Sequence, residues 1–367
     1  MKRKRRKIRK VRVISLVFIL GIITVLLVNF SNIRNFCISK ITGYKIDTIE
    51  VFMENDIYGN IKDYDYSKTL ESIIVTDYYD SKYISEYINI NYVNDEVFLK
   101  NVSLLLDKGY ISNDVNKIYE SLDNEGIKVL INNEYVKEII SILSTQYFRD
   151  NNLERYIKYY NSKKKNVDTT ITYVNIGLDN DYYTNVSDVL EQDSITVLVN
   201  KYNKLSDSYV PKDLVSVSYG SGTLRKEAAL AFNNMCADAK KEKIYIYGGS
   251  GYRSYSHQYG LYNNYVARDG KTAADTYSAR AGHSEHQTGL AMDILNGRWD
   301  YIGANDKEFT WLVNNSYKYG FILRYLEGKE KITGYMYEPW HYRYIGVELA
   351  TELNNQGITY EEYIAKK

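Results

Sequence analysis

The chain has 367 residues, of which 44% are apolar and 25% charged, and it is long enough for more than one globular domain. Its net charge of +1 conceals an asymmetry, because residues 1–12 contain nine Lys or Arg residues and no acid. The rest of the chain therefore has 38 basic residues and 46 acidic ones. The remainder has no basic surplus to neutralise phosphates, so the composition argues against a nucleic-acid partner.

An apolar run follows the basic N-terminal residues and covers residues 13–30. Its length is near the lower limit for a membrane-spanning helix. The basic flank is expected to stay in the cytoplasm, which places the rest of the chain outside. A cleaved signal peptide is the alternative, although residues 29–33 show no small-residue cleavage motif. We therefore predict a cytoplasmic tail at 1–12 and an uncleaved, single-pass membrane anchor at 13–30.

The middle of the chain is predicted to connect this anchor to a C-terminal domain. Residues 31–65 are mixed and polar, which is typical of a stalk. Between 66 and 165 apolar residues recur with helical spacing, as at 113–122, and this pattern predicts an all-α spacer module without catalytic residues. Residues 166–194 are predicted to be a linker, with an alternating, strand-like run at 169–176.

Residues 195–367 are predicted to form the C-terminal domain. The region mixes helical and strand patterns without strict alternation, which favours an α+β fold with a mixed or antiparallel sheet. A Thr-Tyr-Glu-Glu sequence at 359–362 is a capping box that predicts the start of a final helix. The other predicted helices cover 223–240, 255–267 and 309–319, and the predicted strands cover 244–247, 289–295, 321–325 and 342–345.

Two short runs in this domain carry candidate metal ligands. The chain has only four histidines, and His286 and His341 lie in these runs together with Asp293. Imidazole and carboxylate are ligands that zinc accepts, and three of them leave one coordination position open, as in catalytic zinc sites. Zinc is therefore the predicted cofactor. His283 is a weaker competitor of His286.

Acidic and basic residues near these ligands are candidates for the remaining chemistry. Glu338 precedes His341 by three residues and is the predicted general base, with Glu285 as a rival. Arg253 lies in a predicted strand–turn–helix connection, where its guanidinium could hold a carboxylate or support an oxyanion. Gln258, one turn into the next helix, and Arg280 are further candidate substrate contacts.

Five ordered motifs resemble those of the VanY-type D-alanyl-D-alanine carboxypeptidases, which are zinc enzymes of bacterial cell-wall metabolism. The motifs are SGYRS at 250–254 with Gln258, YSAR at 277–280, SEHQTGLAMD at 284–293, YGFILRY at 319–325 and EPWHYRY at 338–344.

The resemblance covers residues 195–364 and implies a small α+β zinc-peptidase fold. It implies zinc ligands at His286, Asp293 and His341, a catalytic acid/base at Glu338 and a substrate-binding arginine at Arg253. Ser278 and Ser284, within the quoted motifs, are candidate substrate contacts as well. Ala281 and Leu326 stand where the family usually has proline, which affects loops rather than chemistry.

The predicted function is a membrane-anchored zinc D,D-carboxypeptidase that removes the terminal D-alanine from peptidoglycan stem peptides on the wall side of the membrane. An L,D-carboxypeptidase acting on tetrapeptide stems is the nearest alternative. A non-catalytic wall-binding module with a vestigial site is an alternative of a different class.

Overall fold

The computed structural model describes residues 2–62 and 65–367. Met1, from the predicted tail, and Asp63 and Tyr64, from the predicted stalk, lie outside the described residues. The chain divides into two compact units between Ser144 and Thr145.

The described residues of the N-terminal unit form helices joined by turns and contain no strand. Its core consists of buried side chains such as Phe52, Leu70 and Phe98. One stretch, Ile14–Thr42, is long and apolar enough to cross a membrane. The helices are α1 (Lys2–Thr42), α2 (Ile46–Glu54), α3 (Tyr58–Ile61), α4 (Lys68–Ile73), α5 (Ile84–Asn89), α6 (Phe98–Lys108), α7 (Ser112–Ser121), α8 (Asn124–Asn132) and α9 (Ile139–Leu143).

The region predicted to be a stalk contributes to this helical core. Tyr44, Ile49 and Phe52 are buried, and the Tyr44 hydroxyl accepts a hydrogen bond from the Ser67 backbone N–H at 3.0 Å. Apolar side chains that recur in α2 therefore give residues 44–61 a packed structure.

Two helices that follow Ser144 pack within the C-terminal unit, although the predicted spacer module extends to residue 165. They are α10 (Leu153–Lys163) and α11 (Val167–Asn175). The strand predicted at 169–176 is wrong. The Asn166 side chain accepts a hydrogen bond from the Thr169 backbone N–H at 2.8 Å and caps a helix, and Ile171 is buried. Capping and burial override the β-branched composition of this segment.

The C-terminal unit combines these helices with a sheet. Its further helices are α12 (Lys226–Lys241), α13 (Tyr255–Asp269), α14 (Lys271–Tyr277), α15 (Lys307–Asn315), α16 (Glu330–Thr333), α17 (Val347–Gln356) and α18 (Tyr360–Ala365). Its strands are β1 (Ser187–Asp188), β2 (Asn203–Lys204), β3 (Leu214–Ser216), β4 (Thr223–Arg225), β5 (Tyr247–Ser250), β6 (Ala291–Leu295), β7 (Phe321–Leu323) and β8 (His341–Tyr344). The capping box predicted at 359–362 is confirmed.

The main sheet has four strands in the order β5-β6-β8-β7, and every neighbouring pair is antiparallel. Alternate residues of each strand lie on opposite faces. Met292, Ile294 and Tyr342 lie on one face and pack with α12 in the largest core of this unit. The opposite face carries Asp293 and His341. The α+β prediction is therefore confirmed, with an antiparallel sheet.

Candidate active site

The sheet brings two candidate metal ligands together directly. Asp293 on β6 and His341 on β8 are partners in the antiparallel register, so their side chains project from the same face. His286 lies on a short 3₁₀ helix, Glu285–Thr288, which ends in Gly289 just before β6. Gly289 has φ +66°, a conformation that favours glycine and turns the chain sharply into the strand.

The three side chains present a compact donor set. His286 Nε2 lies 3.3 Å from Asp293 Oδ2, and His341 Nδ1 lies 3.0 Å from Asp293 Oδ1. All the donor atoms lie within 4.8 Å of one another. Zinc ligands at about 2.0–2.2 Å in a tetrahedron are separated by about 3.3–3.6 Å. The geometry therefore fits a zinc ion with three protein ligands.

The other nitrogen of each imidazole has its own acceptor. His286 Nδ1 lies 2.7 Å from the carbonyl oxygen of Gly251, and His341 Nε2 lies 3.4 Å from Glu285 Oε2. Carbonyl and carboxylate oxygens only accept, so a metal ion bound to His286 Nε2 and His341 Nδ1 would leave the protons on the two nitrogens that face Gly251 and Glu285.

Glu338 lies beside the donor set. Its Oε2 is 3.9 Å from His341 Nδ1, and the residue is buried. A turn brings the two residues together, because the His341 backbone N–H donates to the Glu338 carbonyl at 3.2 Å across Pro339. Burial raises the pKa of the Glu338 carboxyl to about 8, and the neighbouring His341 opposes this rise. Such a carboxyl is suited to exchange protons near neutral pH.

Arg253 is held at the edge of the same site. Its guanidinium donates to Gln258 Oε1 at 2.7 Å and to Ser250 Oγ at 2.9 Å, and lies 3.7 Å from Asp293 Oδ2. Gln258 in turn donates to the Ala279 carbonyl at 2.7 Å. Its two hydrogen-bond partners are neutral and Asp293 is at the longer distance, so the guanidinium is held in place at the cleft, where an anionic ligand could also bind it.

A cleft of about 350 Å³ joins these residues. Besides the ligands, Glu338 and Arg253, it is lined by the predicted substrate contacts Gln258, Ser278 and Ser284. Aromatic side chains to which the sequence assigned no role complete the walls, among them Tyr265, Tyr277, Tyr301, Tyr325, Tyr335 and Trp340.

The predicted contact Arg280 and the two remaining histidines, His257 and His283, lie elsewhere. Arg280 does not line the cleft, because it pairs with Asp275 at 2.7 Å and stacks over the Tyr183 ring. His283 Nδ1 lies 2.8 Å from the Asn200 carbonyl oxygen and is outside the donor set. His257 is exposed on α13.

Glu285, the rival base, belongs to a buried charge cluster beneath the site. Its Oε1 accepts from Arg324 Nε at 2.8 Å and from Arg343 at 3.0 Å, while Glu361 binds Arg324 through both carboxylate oxygens. Burial acts to raise the pKa of Glu285, but Arg324 and Arg343 outweigh it and hold that pKa well below its usual range. Glu285 is therefore a permanent anion that orients His341. The sequence indicated this cluster only through Arg324 and Arg343, two arginines within strand patterns that are otherwise mostly apolar.

Comparison with known proteins shows which family the C-terminal unit resembles. Residues 221–347 match the family VanY, D-alanyl-D-alanine carboxypeptidase. The chain is 39% identical over 228 residues to YodJ of Bacillus subtilis (strain 168), covering 57% of this chain and 82% of YodJ. The chain belongs to the VanY family. The resemblance predicted from the motifs is thus confirmed, and membership supports a peptidoglycan carboxypeptidase activity.

Two solved peptidase structures are similar to this VanY-family protein. The LdcB LD-carboxypeptidase is 38% identical, with 51% of this chain and 94% of LdcB covered and a TM-score of 0.47. A mutant of the vancomycin-resistance D,D-pentapeptidase VanY, from a VanB-type resistance cassette and in complex with Zn(II), is 35% identical, with 46% and 98% covered and a TM-score of 0.42.

Proposed function

We propose that this VanY-family protein is a zinc-dependent D,D-carboxypeptidase that removes the terminal D-alanine from peptidoglycan stem pentapeptides. One observation carries the proposal. A three-ligand donor set, a buried carboxyl at Glu338 and a fixed guanidinium at Arg253 meet in a single cleft. A nitrogen and oxygen donor set with an open position favours zinc in a catalytic rather than a structural role.

Proton transfer is assigned to Glu338. When bound, zinc supplies a Lewis acid that polarises the scissile carbonyl and makes water a better nucleophile at neutral pH. Glu338 Oε2 accepts the proton of the attacking water and then gives it to the leaving amine of D-alanine. Its burial keeps the carboxyl away from bulk solvent, so the proton stays within the cleft.

Recognition of the peptide end is assigned to Arg253. A guanidinium binds a carboxylate in a fork geometry, and the terminal D-alanine has a free carboxylate next to the scissile bond. Gln258 and Ser250 hold Arg253 in place before the substrate binds, which reduces the entropy lost on binding. This arrangement favours an exopeptidase.

Parallel assays on two substrates test the proposal. The full-length chain in detergent micelles, loaded with zinc, is incubated with a stem pentapeptide and with the corresponding tetrapeptide, and released D-alanine is measured by mass. We expect release from the pentapeptide and none after Glu338→Ala. Release from the tetrapeptide alone would establish the L,D-carboxypeptidase instead. No release from either peptide, with substoichiometric zinc, would support a non-catalytic wall-binding module.

The location of the protein is also part of the proposal. The apolar helical stretch Ile14–Thr42 supports a single-pass anchor that holds the C-terminal unit on the wall side, where the substrate is found. Protease treatment of intact spheroplasts tests this orientation. Digestion of the C-terminal unit without lysis is expected, and protection from the protease would contradict the orientation.

A further inference from the structure

A second row of side chains lies beside the metal-binding residues on the same face of the sheet. Tyr247 on β5 is the register partner of Leu295 on β6, and Leu295 also forms a bridge with Tyr301. Cross-strand partners share a face, and Leu295 is two residues beyond Asp293 on the same strand. The row Tyr247–Leu295–Tyr301 therefore lies one strand repeat, about 6.8 Å, from Asp293 and His341.

Trp299 extends this row. Its ring stacks on Tyr247 with the ring centroids 4.4 Å apart and an angle of 5° between the planes. The other face of the indole is open, because Trp299 is 59% exposed, and Tyr301 is 55% exposed. These three aromatic residues form a surface that we call the aromatic platform.

The backbone holds Trp299 in this exposed position. Trp299 has φ +68°, a left-handed conformation that a residue with a large side chain rarely adopts. Asn296 fixes the turn, because its carbonyl accepts from the Trp299 N–H at 3.0 Å and its side chain accepts from the backbone N–H groups of Arg298 and Asp300. The fold thus displays a large apolar ring in a fixed orientation towards solvent, as sites that bind a ligand do.

The platform is continuous with the catalytic cleft. Tyr301 lines that cleft, and its ring centroid lies 6.1 Å from that of Trp340, the residue before the ligand His341. A ligand that occupies the cleft and extends along β6 therefore reaches the platform. Flat aromatic faces suit a pyranose ring, whose axial C–H groups form an apolar face while its hydroxyl and amide groups stay in water.

We propose that the aromatic platform, through the open faces of Trp299 and Tyr301 and with Tyr247 supporting Trp299, binds a pyranose ring of the glycan strand to which the stem peptide is attached. This inference rests on the proposed function, because it assigns the second half of the same substrate. Four residues of the stem pentapeptide lie between the sugar and the peptide bond that is cleaved. When extended, these four residues span at most about 13–14 Å. This reach exceeds the offset of about 6.8 Å between the metal-binding row and the platform row.

The test compares one stem pentapeptide with and without its disaccharide. For the zinc-loaded full-length chain we expect kcat/KM to be about tenfold higher for the disaccharide–pentapeptide than for the free peptide. Trp299→Asn removes the ring, and asparagine tolerates the left-handed backbone. The variant is expected to reduce this ratio to about one. Tyr259→Ala, at an equally exposed aromatic residue of α13 outside the cleft, is expected to keep the ratio of the unmodified chain.

A binding measurement separates failure of this inference from failure of the proposed function. The probe is a peptide-free tetrasaccharide of alternating N-acetylglucosamine and N-acetylmuramic acid, titrated calorimetrically into the Glu338→Ala chain. Binding that weakens about tenfold on adding Trp299→Asn, but not on adding Tyr259→Ala, supports the platform even if no peptide is hydrolysed. Equal binding with and without the Trp299 ring, or an unchanged kcat/KM ratio in Trp299→Asn, overturns it.

Discussion

Replacing Glu285 by glutamine tests how the structure prepares His341 for a metal ion. The carboxylate accepts from two arginines through Oε1 and faces His341 Nε2 at 3.4 Å through Oε2. Glutamine keeps one acceptor oxygen and presents an NH₂ group at the other position. If the oxygen stays with Arg324 and Arg343, the NH₂ group opposes the His341 N–H, and the imidazole loses the partner that fixes its tautomer and orientation.

Two separate effects are expected from Glu285→Gln. Loss of a partner that orients a ligand histidine lowers metal affinity about 10- to 100-fold, which corresponds to about 1.4–2.7 kcal/mol. In addition, the buried cluster contains two carboxylates and two guanidiniums, so the substitution leaves one positive charge uncompensated. Breaking a buried pair in this way lowers the free energy of unfolding by about 3–5 kcal/mol.

Glu361→Gln is the matched control. It removes the same charge from the cluster, because Glu361 pairs with Arg324 at 2.6 Å, but its side chain has no hydrogen bond to His341. Zinc affinity is measured by competition with a chelator, and stability by thermal unfolding of the zinc-free and zinc-loaded chains. Both variants should lose stability, whereas only Glu285→Gln should lose zinc affinity about 10-fold or more. Equal zinc affinities in the two variants would refute the role assigned to Glu285.

Three further substitutions have defined expectations. Glu338→Gln should lower kcat for D-alanine release by about 10²- to 10⁴-fold while metal analysis still finds one zinc per chain, since a glutamine cannot accept the proton. Gly251→Ala should lower the free energy of unfolding by about 1–3 kcal/mol and weaken zinc binding, because a Cβ there would lie 2.3 Å from the Thr223 carbonyl oxygen. The control is Gly260→Ala on α13, where a Cβ would meet open space, and it should leave stability unchanged or raise it. Denaturant unfolding measures the stability of both variants, and competition with a chelator measures their zinc affinity. Burial lowers the pKa of Lys201 to about 8. Between pH 8 and 10 the unfolded chain therefore binds a proton at this lysine that the folded chain lacks. The free energy of unfolding should thus rise by about 1–2.5 kcal/mol over this pH range. Denaturant unfolding of Lys201→Met should lack this rise, and a persistent rise would assign it to other groups.

The sequence predicted those parts of the fold that depend on neighbours along the chain. The helix predicted at 223–240 is found as α12, except that residues 223–225 form β4, and the capping box at Thr359 lies where the pattern predicts it. The helix α11 shows where such reasoning fails. Its β-branched residues alternate like a strand, but the burial of Ile171 in the C-terminal unit and the Asn166 cap stabilise a helix. Contacts with distant elements outweighed a local preference.

The sequence alone predicted which residues carry the chemistry, because five ordered motifs, two of which contain His286, Asp293 and His341, resemble a family of zinc peptidases. Their arrangement in space depends on the tertiary structure. Asp293 and His341 are 48 residues apart and meet only through the pairing of β6 with β8. The same sheet places Tyr247 and Tyr301 beside them. Arg324 and Arg343 hold Glu285 as an anion next to His341, whereas Arg280 pairs with Asp275 outside the cleft. Strand register and burial arise from contacts between distant segments, which no single local pattern records.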